Sequence, residues 1–258
     1  MQLEGKAPLV SPDAKLAEVI PVMLGNRCRC LMVGKGRVEA TISLMQVVRR
    51  IAREWMRGKN PDVVIRETRV GDLKLYPPLT YKGKPEPIDA LTEMLTHGVN
   101  FVLSESGEIY TVLDALVETS NVLAGETVAS VVASQRWWSI RPDTPIREAF
   151  LHVSMLPTWR VVLVDEDGGV AGLFSATDFL KALMEGRVDY ESPVYTLAVK
   201  TPYTTDYDES LLTVVRIMHD NDIHIMPVVR GLEGFAGVVH AYDIARLAAI
   251  KILRRGRL

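Results

Sequence analysis

The chain has 258 residues, 48% of them hydrophobic and 24% charged, and carries a net charge of −2. That is globular composition with enough apolar material for a sizeable core; it supplies neither a basic footprint for nucleic acid nor an acidic tail. No apolar stretch is long enough to cross a bilayer, and Met1–Val10 lacks a signal peptide's apolar centre, so a cytoplasmic protein off the membrane is expected.

Pro8–Val10 reads as a short strand, and Ser11-Pro12-Asp13 as a turn and helix start. Leu16, Val19, Ile20 and Met23 then share one helical face. An apolar run follows in Arg27–Ala52, with Cys28 and Cys30 alternating with Arg27 and Arg29 on a strand, then a Gly34-Lys35-Gly36 hairpin turn, a second apolar run and a helix. The next segment is looser: after a Gly/Pro-rich turn, Ile88, Leu91 and Leu95 are placed inward, and Val99–Glu118 repeats the strand-turn-strand-helix half. The third pass opens on Ser139-Ile140, takes Asp143-Thr144-Pro145 as its cap and buries Ile146, Ala149, Phe150 and Val153. Strands at Arg160–Val164 and Val170–Phe174 follow, joined by an Asp165–Gly169 hairpin. The fourth has Asp208-Glu209-Ser210 before Leu211, Val214, Val215 and Met218, and its second half runs from Ile223 to Ala249.

These passes are one pattern used four times: Pro227–Asp243 and Val162–Asp178 superpose without a gap. The period is roughly 60 residues, long for a solenoid. A unit so small leaves much of its surface wet, so the four should pack on one another. Each reads strand, helix, strand, turn, strand, helix, which makes the fold class α+β with α/β-like repeats.

The strings PLVSPD (Pro8–Asp13) and SIRPDT (Ser139–Thr144) are similar to the opening strand and cap of a CBS domain. GLFSATD (Gly172–Asp178) and GVVHAYD (Gly237–Asp243) resemble its Gly-apolar-apolar-Ser/Thr-x-x-Asp signature. The resemblance spans essentially the whole chain. It implies four βαββα repeats, at residues 1–58, 59–122, 123–187 and 188–258, paired through their sheets into two Bateman modules. Four-copy relatives include the adenine-nucleotide-sensing γ subunits of AMP-activated protein kinase and stand-alone archaeal counterparts.

A carboxylate in a helix's first turn is favoured by the dipole and can accept from a ribose diol, while the free N–H groups there suit a phosphate. The third repeat carries Ser175, Thr177 and Asp178. The fourth has Asp243, with His240 in place of the hydroxyl. The first has Ser43 and Gln46, and the second is read with Asp114 at the hydroxyl position and Val117 at the Asp position. Ribose capture is therefore expected in the C-terminal module. The plain alternative is that these Asp residues are helix caps. Arg160 aligns with a strand position from which relatives reach phosphate; it could equally snorkel from an edge strand. His224 precedes Ile225-Met226-Pro227 and resembles a His-Arg-x-Pro run with Ile225 replacing the Arg. The resemblance also places Ser139, Ile140, Thr201 and Thr205 among the ligand-binding residues.

Other candidates are weaker. Cys28 and Cys30 fall short of a zinc set and read as packing. His219 and His224 with Asp220 and Asp222 could attract a divalent ion or form a solvated helix end. Trp137-Trp138 reads as linker packing, with base stacking the alternative. No catalytic arrangement, metal site or covalent cofactor is expected. The leading reading is a non-enzymatic regulatory protein that senses AMP, ADP or ATP, AMP or ADP before ATP, and signals to an unidentified protein partner; a homodimer is compatible with such modules. The alternatives are a scaffold or oligomerisation module without ligand, and a binder of another adenosyl compound such as S-adenosylmethionine.

Overall fold

The computed structural model describes residues 6–26, 29–131, 138–231 and 234–255. Unit 1 comprises β1 (Leu9–Val10), α1 (Leu16–Leu24), β2 (Cys30–Val33), β3 (Ala40–Ser43) and α2 (Leu44–Met56), followed by α3 (Pro61–Glu67). Unit 2 has β4 (Thr80–Tyr81), α4 (Pro87–His97), β5 (Phe101–Ser104), β6 (Ile109–Thr111) and α5 (Val112–Thr119). Unit 3 has β7 (Ser139–Ile140), α6 (Ile146–Met155), β8 (Arg160–Val164), β9 (Val170–Ser175) and α7 (Ala176–Met184). Unit 4 has β10 (Thr205–Asp206), α8 (Leu211–Asp220), β11 (Ile225–Val229), β12 (Phe235–His240) and α9 (Ala241–Arg255).

Each unit folds its three strands into a sheet, the first strand parallel to the second and the second antiparallel to the third. The parallel pair requires a crossover, which the first helix supplies; the antiparallel pair needs only a hairpin. In unit 3 that hairpin is held by Asp165, whose Oδ1 accepts from Gly169 N–H at 2.7 Å and Asp167 N–H at 3.1 Å. At Gly172 a Cβ would come within 3.0 Å of the Val199 carbonyl, which accepts from Leu173 N–H. The signature glycine thus permits a neighbouring strand segment to lie close.

The helix faces expected for α1, α6 and α8 are buried as read. In α4 the buried face is Ala90, Leu91 and Met94, while Ile88 and Leu95 are half-buried. The helix opens at Pro87, and the i, i+3 and i+4 face counted from there is the one that meets the core. Pro145, the last residue of the expected cap, stands immediately before α6, whereas Lys15 and not the Ser11–Asp13 turn stands before α1; neither makes a side-chain cap bond.

What replaces those caps is backbone from elsewhere. The first N–H of α1, from Leu16, donates to Thr68 O at 3.0 Å; that of α6, from Ile146, donates to Ser192 O at 3.0 Å. That of α8, from Leu211, donates to Glu126 O at 3.0 Å, so the segment following unit 2 closes over unit 4. Orphan N–H groups at a helix start must find such acceptors. The matching position in α4 is Pro87, which has no N–H to satisfy.

Two helix-lined cores result. One joins units 1 and 3, where Phe150 stacks on Phe179 at 3.9 Å and Trp55 lies 5.7 Å from each. The other joins units 2 and 4 mainly through aliphatic and Met side chains, with Tyr110 among them. Two smaller clusters pair the sheets: Ala7 and Cys30 with Phe101 and Leu103 for units 1 and 2, and Val162 with Ile225 and Val238 for units 3 and 4. Both sheet pairs and both helix cores form within one chain. Cys30 has a packing position in the first of these clusters; Cys28 lies outside the described residues.

Candidate functional site

Where the four units meet there is a cavity of about 560 Å³, of the size that holds a small ligand. Its floor follows from the repeat. In each unit, the residue just before the second strand gives its carbonyl to the first N–H of the second helix: Arg29 to Leu44, Asn100 to Val112, Trp159 to Ala176 and His224 to Ala241, all at 2.9–3.0 Å. All four of these equivalent residues line the cavity. The repeat places one position of each unit around a common centre, and the side chains there differ completely.

The second-helix starts are equivalent too. Ser43, Thr111 and Ser175 are N-caps, each in a capping box with the residue three positions on, Gln46, Asp114 and Asp178. This corrects the alignment of unit 2: Thr111 holds the hydroxyl position and Asp114 the carboxylate position, because α5 begins at Val112, one turn earlier than assigned. Asp178 Oδ2 accepts from Ser175 N–H at 2.9 Å and Ser175 Oγ at 2.6 Å. Burial pushes the Asp178 carboxyl up, opposed by those two bonds and by Lys181 and Arg160. Ser175 and Thr177 line the cavity, while Asp178 stands behind that lining.

Unit 4 departs from the box. His240 accepts from Tyr242 N–H through Nδ1 at 3.1 Å, which fixes the neutral ring as the Nε2–H tautomer, and it stacks on Tyr242 at 5.4 Å. Burial, then His224, Arg160 and Arg246, hold its pKa well below the usual histidine value. Asp243 is not folded back; it meets Arg246 at 3.3 Å and lines the cavity. Burial raises its carboxyl, and Arg246 opposes the shift.

Arg160 opens β8 opposite Ser175, lines the cavity and donates from Nη1 to Thr158 O at 3.3 Å. Burial disfavours its charge, Asp178 supports it and Arg29 opposes it. Arg29, Arg49 and Arg246 also line the cavity, against two lining carboxylates, Asp222 and Asp243. Thr158 Oγ1 and Trp159 Nε1, both on the lining, are buried with no hydrogen-bond partner among the described residues.

Of the residues anticipated from sequence, Arg160, Ser175, Thr177, His224, His240 and Asp243 are brought together here. Ser139 and Ile140 pair with Val162 and Leu163, Thr205 is buried in β10 against Val228, and Thr201 is exposed; none of the four lines the cavity. Trp138 both packs between the sheets of units 3 and 4 and lines the cavity, whereas Trp137 lies outside the described residues. His219 points away, to Asp114 at 3.5 Å and Asp220 at 3.2 Å, and among the described residues no cluster of metal-ligating side chains forms. Sequence reasoning missed Arg29, Arg49, Thr158, Trp159, Tyr242 and Arg246. The signal for Arg29 was its place one residue before an apolar strand, the place occupied by Trp159 and His224 in later units.

Comparisons with known proteins agree with this plan. Residues 128–185 and 194–250 each match the CBS domain model. A Methanocaldococcus jannaschii protein, proposed as an archaeal homologue of g-AMPK, superposes with a TM-score of 0.75 at 18% identity, covering 95% of this chain and 97% of that one. An uncharacterized conserved protein of Pyrococcus horikoshii gives a TM-score of 0.57 at 16% identity, covering 96% and 100%. In sequence, 120 residues are 24% identical to an uncharacterized 17.7 kDa protein of Acidianus ambivalens, 46% of this chain and 72% of that one. Among the described residues no helix is long and apolar enough to cross a membrane. The CBS domain model thus covers two segments in the C-terminal half of the chain, and the three-stranded unit found there is repeated before them.

Proposed function

We propose that the chain is a regulatory protein that binds an adenine nucleotide in the central cavity, AMP or ADP in preference to ATP, and reports its presence to a protein partner. The observation that carries this reading is the cavity's donor set. Four arginines face two carboxylates, so the lining suits an anion such as phosphate and disfavours the cationic sulfonium of S-adenosylmethionine. Asp243 supplies acceptors for a ribose diol. Trp159, Trp138 and Tyr242 offer ring faces for a base. The unpartnered Thr158 Oγ1 and Trp159 Nε1 are polar atoms whose burial is costly until something bonds them. No arrangement of nucleophile and base is used in this reading, which is of a sensor in the cytoplasm and not an enzyme. Its repeats are taken as residues 1–58, 59–122, 123–187 and 188–258.

The test is calorimetric titration of the whole chain with AMP, ADP, ATP, adenosine and S-adenosylmethionine. The reading expects AMP or ADP to bind and adenosine to bind far more weakly. Saturable binding of S-adenosylmethionine alone would replace it with the adenosyl alternative, and binding of none would leave the scaffold reading.

A further inference from the structure

The chain's two cysteines, Cys28 and Cys30, flank Arg29. Cys30 is fully buried in the cluster that pairs the sheets of units 1 and 2, and it is disulfide-bonded. Cys28 is the only other cysteine, so a bond made within one chain has no other sulfur to use. The local backbone suits such a bond. Arg29 is left-handed at φ 50°. Like a helical residue, a left-handed one draws its two neighbours closer than an extended residue does, toward the roughly 4.4–6.8 Å between Cα atoms that a disulfide spans. Trp159, the equivalent residue of unit 3, is left-handed at φ 52° with no cysteine beside it. The turn therefore belongs to the repeat, and unit 1 alone puts thiols on it.

A disulfide that closes so short a loop removes little freedom from the unfolded chain, so global stability is not its use. Its position offers another. Arg29 lines the central cavity, and its carbonyl accepts from Leu44 N–H at 2.9 Å. That bond ties it to the start of α2, where Ser43, Leu44 and Met45 line the same cavity. Asn26 grips the loop from the other side: its Nδ2 donates to Cys30 O at 2.7 Å, and its Oδ1 accepts from Cys30 N–H at 3.2 Å.

We propose that Cys28 and Cys30 form a reversible disulfide that fixes the cavity wall at Arg29, so that the redox state of the surroundings controls binding in the cavity. In the cytoplasm disulfides are mostly transient and redox-sensing, which is the use this position suits. The bond itself rests on no reading of the ligand; its effect on AMP rests on the nucleotide reading. In the opening step the thiolate of a dithiol reductant attacks the Cys28 sulfur, because Cys30 is closed to solvent. The S–S bond breaks, a mixed disulfide forms, and Cys30 leaves as a thiolate that takes up a proton. The reductant's second thiol then displaces Cys28, which is protonated in turn. The reductant ends as a disulfide, having given two electrons, and the chain ends with both thiols. Glutathione disulfide drives the reverse exchange. Without the covalent tie, the left-handed backbone of a non-glycine residue is free to relax toward ordinary angles.

The experiment equilibrates the whole chain in glutathione disulfide or in dithiothreitol. Each form is denatured, alkylated with iodoacetamide and weighed by mass spectrometry, with peptide mapping to locate the linkage. The oxidised form should take up no label and carry a Cys28–Cys30 bond, whereas the reduced form should be labelled on both cysteines. AMP is then titrated by calorimetry. The oxidised form, with its wall already in place, should bind about fivefold more tightly or better, the low end of ordinary coupling between sites, and reoxidation should restore what reduction removes. Cys28→Ser, which leaves the buried Cys30 packed, should bind like the reduced form and ignore dithiothreitol. Hydrogen exchange at the Leu44 amide, which is bonded to Arg29, should quicken on reduction whether or not a nucleotide is present. Quickened exchange with no nucleotide bound by either form would sustain the switch and refute the nucleotide reading. Free thiols after glutathione disulfide, a glutathione adduct or a bond between two chains in place of the internal one, or equal AMP affinity in the two forms would overturn the switch and leave the nucleotide reading standing.

Discussion

Units 3 and 4 make the same turn from strand to helix with different results. In unit 3 the Ser175 hydroxyl and the Asp178 carboxylate satisfy each other and the helix start, as Ser43 with Gln46 and Thr111 with Asp114 do in the first two units. In unit 4, histidine at the hydroxyl position takes the Tyr242 N–H with its ring nitrogen, and Asp243 turns to Arg246 and the cavity. A repeat conserves backbone geometry, but one substitution decides whether a carboxylate three residues later holds its own helix or faces a shared centre. The better match to the signature string is the one whose Asp is spent on the fold.

The same two units differ in their first helices, and that difference should be the largest to measure. Phe150 of α6 is fully buried in an aromatic stack, whereas its equivalent in α8 is Val215. Phe150→Ala should cost about 3–5 kcal/mol in chemical denaturation, with Val215→Ala costing less. Equal losses would mean that the two helix cores contribute alike despite their composition. Next in size is the ligand itself: a nucleotide at about 100 times its dissociation constant should add roughly 2.7 kcal/mol, read as a rise in melting temperature. That rise should survive Asp178→Asn better than Asp243→Asn if the comparison is right.

Arg160→Met should then weaken AMP by about 1.5–3 kcal/mol of binding energy and adenosine by little, as expected for a charged contact to phosphate. Paired substitutions sharpen the comparison further. Asp243→Asn should lower the affinity for both AMP and adenosine by about tenfold, since a diol loses a charged acceptor. Asp178→Asn should instead cost on the order of 1 kcal/mol of folding stability through its capping box, with affinity kept. The opposite pattern, affinity lost at Asp178 and kept at Asp243, would reverse the assignment of the two units.

The smallest effect is in pH. His240 is kept neutral when folded, while unfolded it titrates near its usual 6.5. Below about that pH the unfolded chain binds a proton that the native chain refuses, so stability is full above 6.5 and falls with falling pH, by at most about 1.4 kcal/mol per unit for one group. His240→Ser, which puts unit 3's residue into unit 4, should flatten that part of a stability-against-pH curve. An unchanged slope would assign it to other groups.

Much of this molecule was legible in the chain itself. Four passes of one pattern, the buried faces of three first helices and the Asp165 hairpin all follow from local periodicity and turn chemistry, which act over a few residues, while the resemblance of the signature strings pointed to the domain model that the C-terminal half matches. The failures were local as well: a proline start displaced the face of α4, and the weak second signature was read one turn late until Thr111 showed where the helix begins. What sequence could not decide was which residues would meet. Arg29 and Arg160 are 131 positions apart by their numbering and come to line one cavity only when units 1 and 3 pack helix to helix. The choice between Asp178 and Asp243 depended on how each side chain's hydrogen bonds were filled. The cavity belongs to no single repeat: it is what four small units leave open when they bury their apolar faces on one another, and so only tertiary packing could place it.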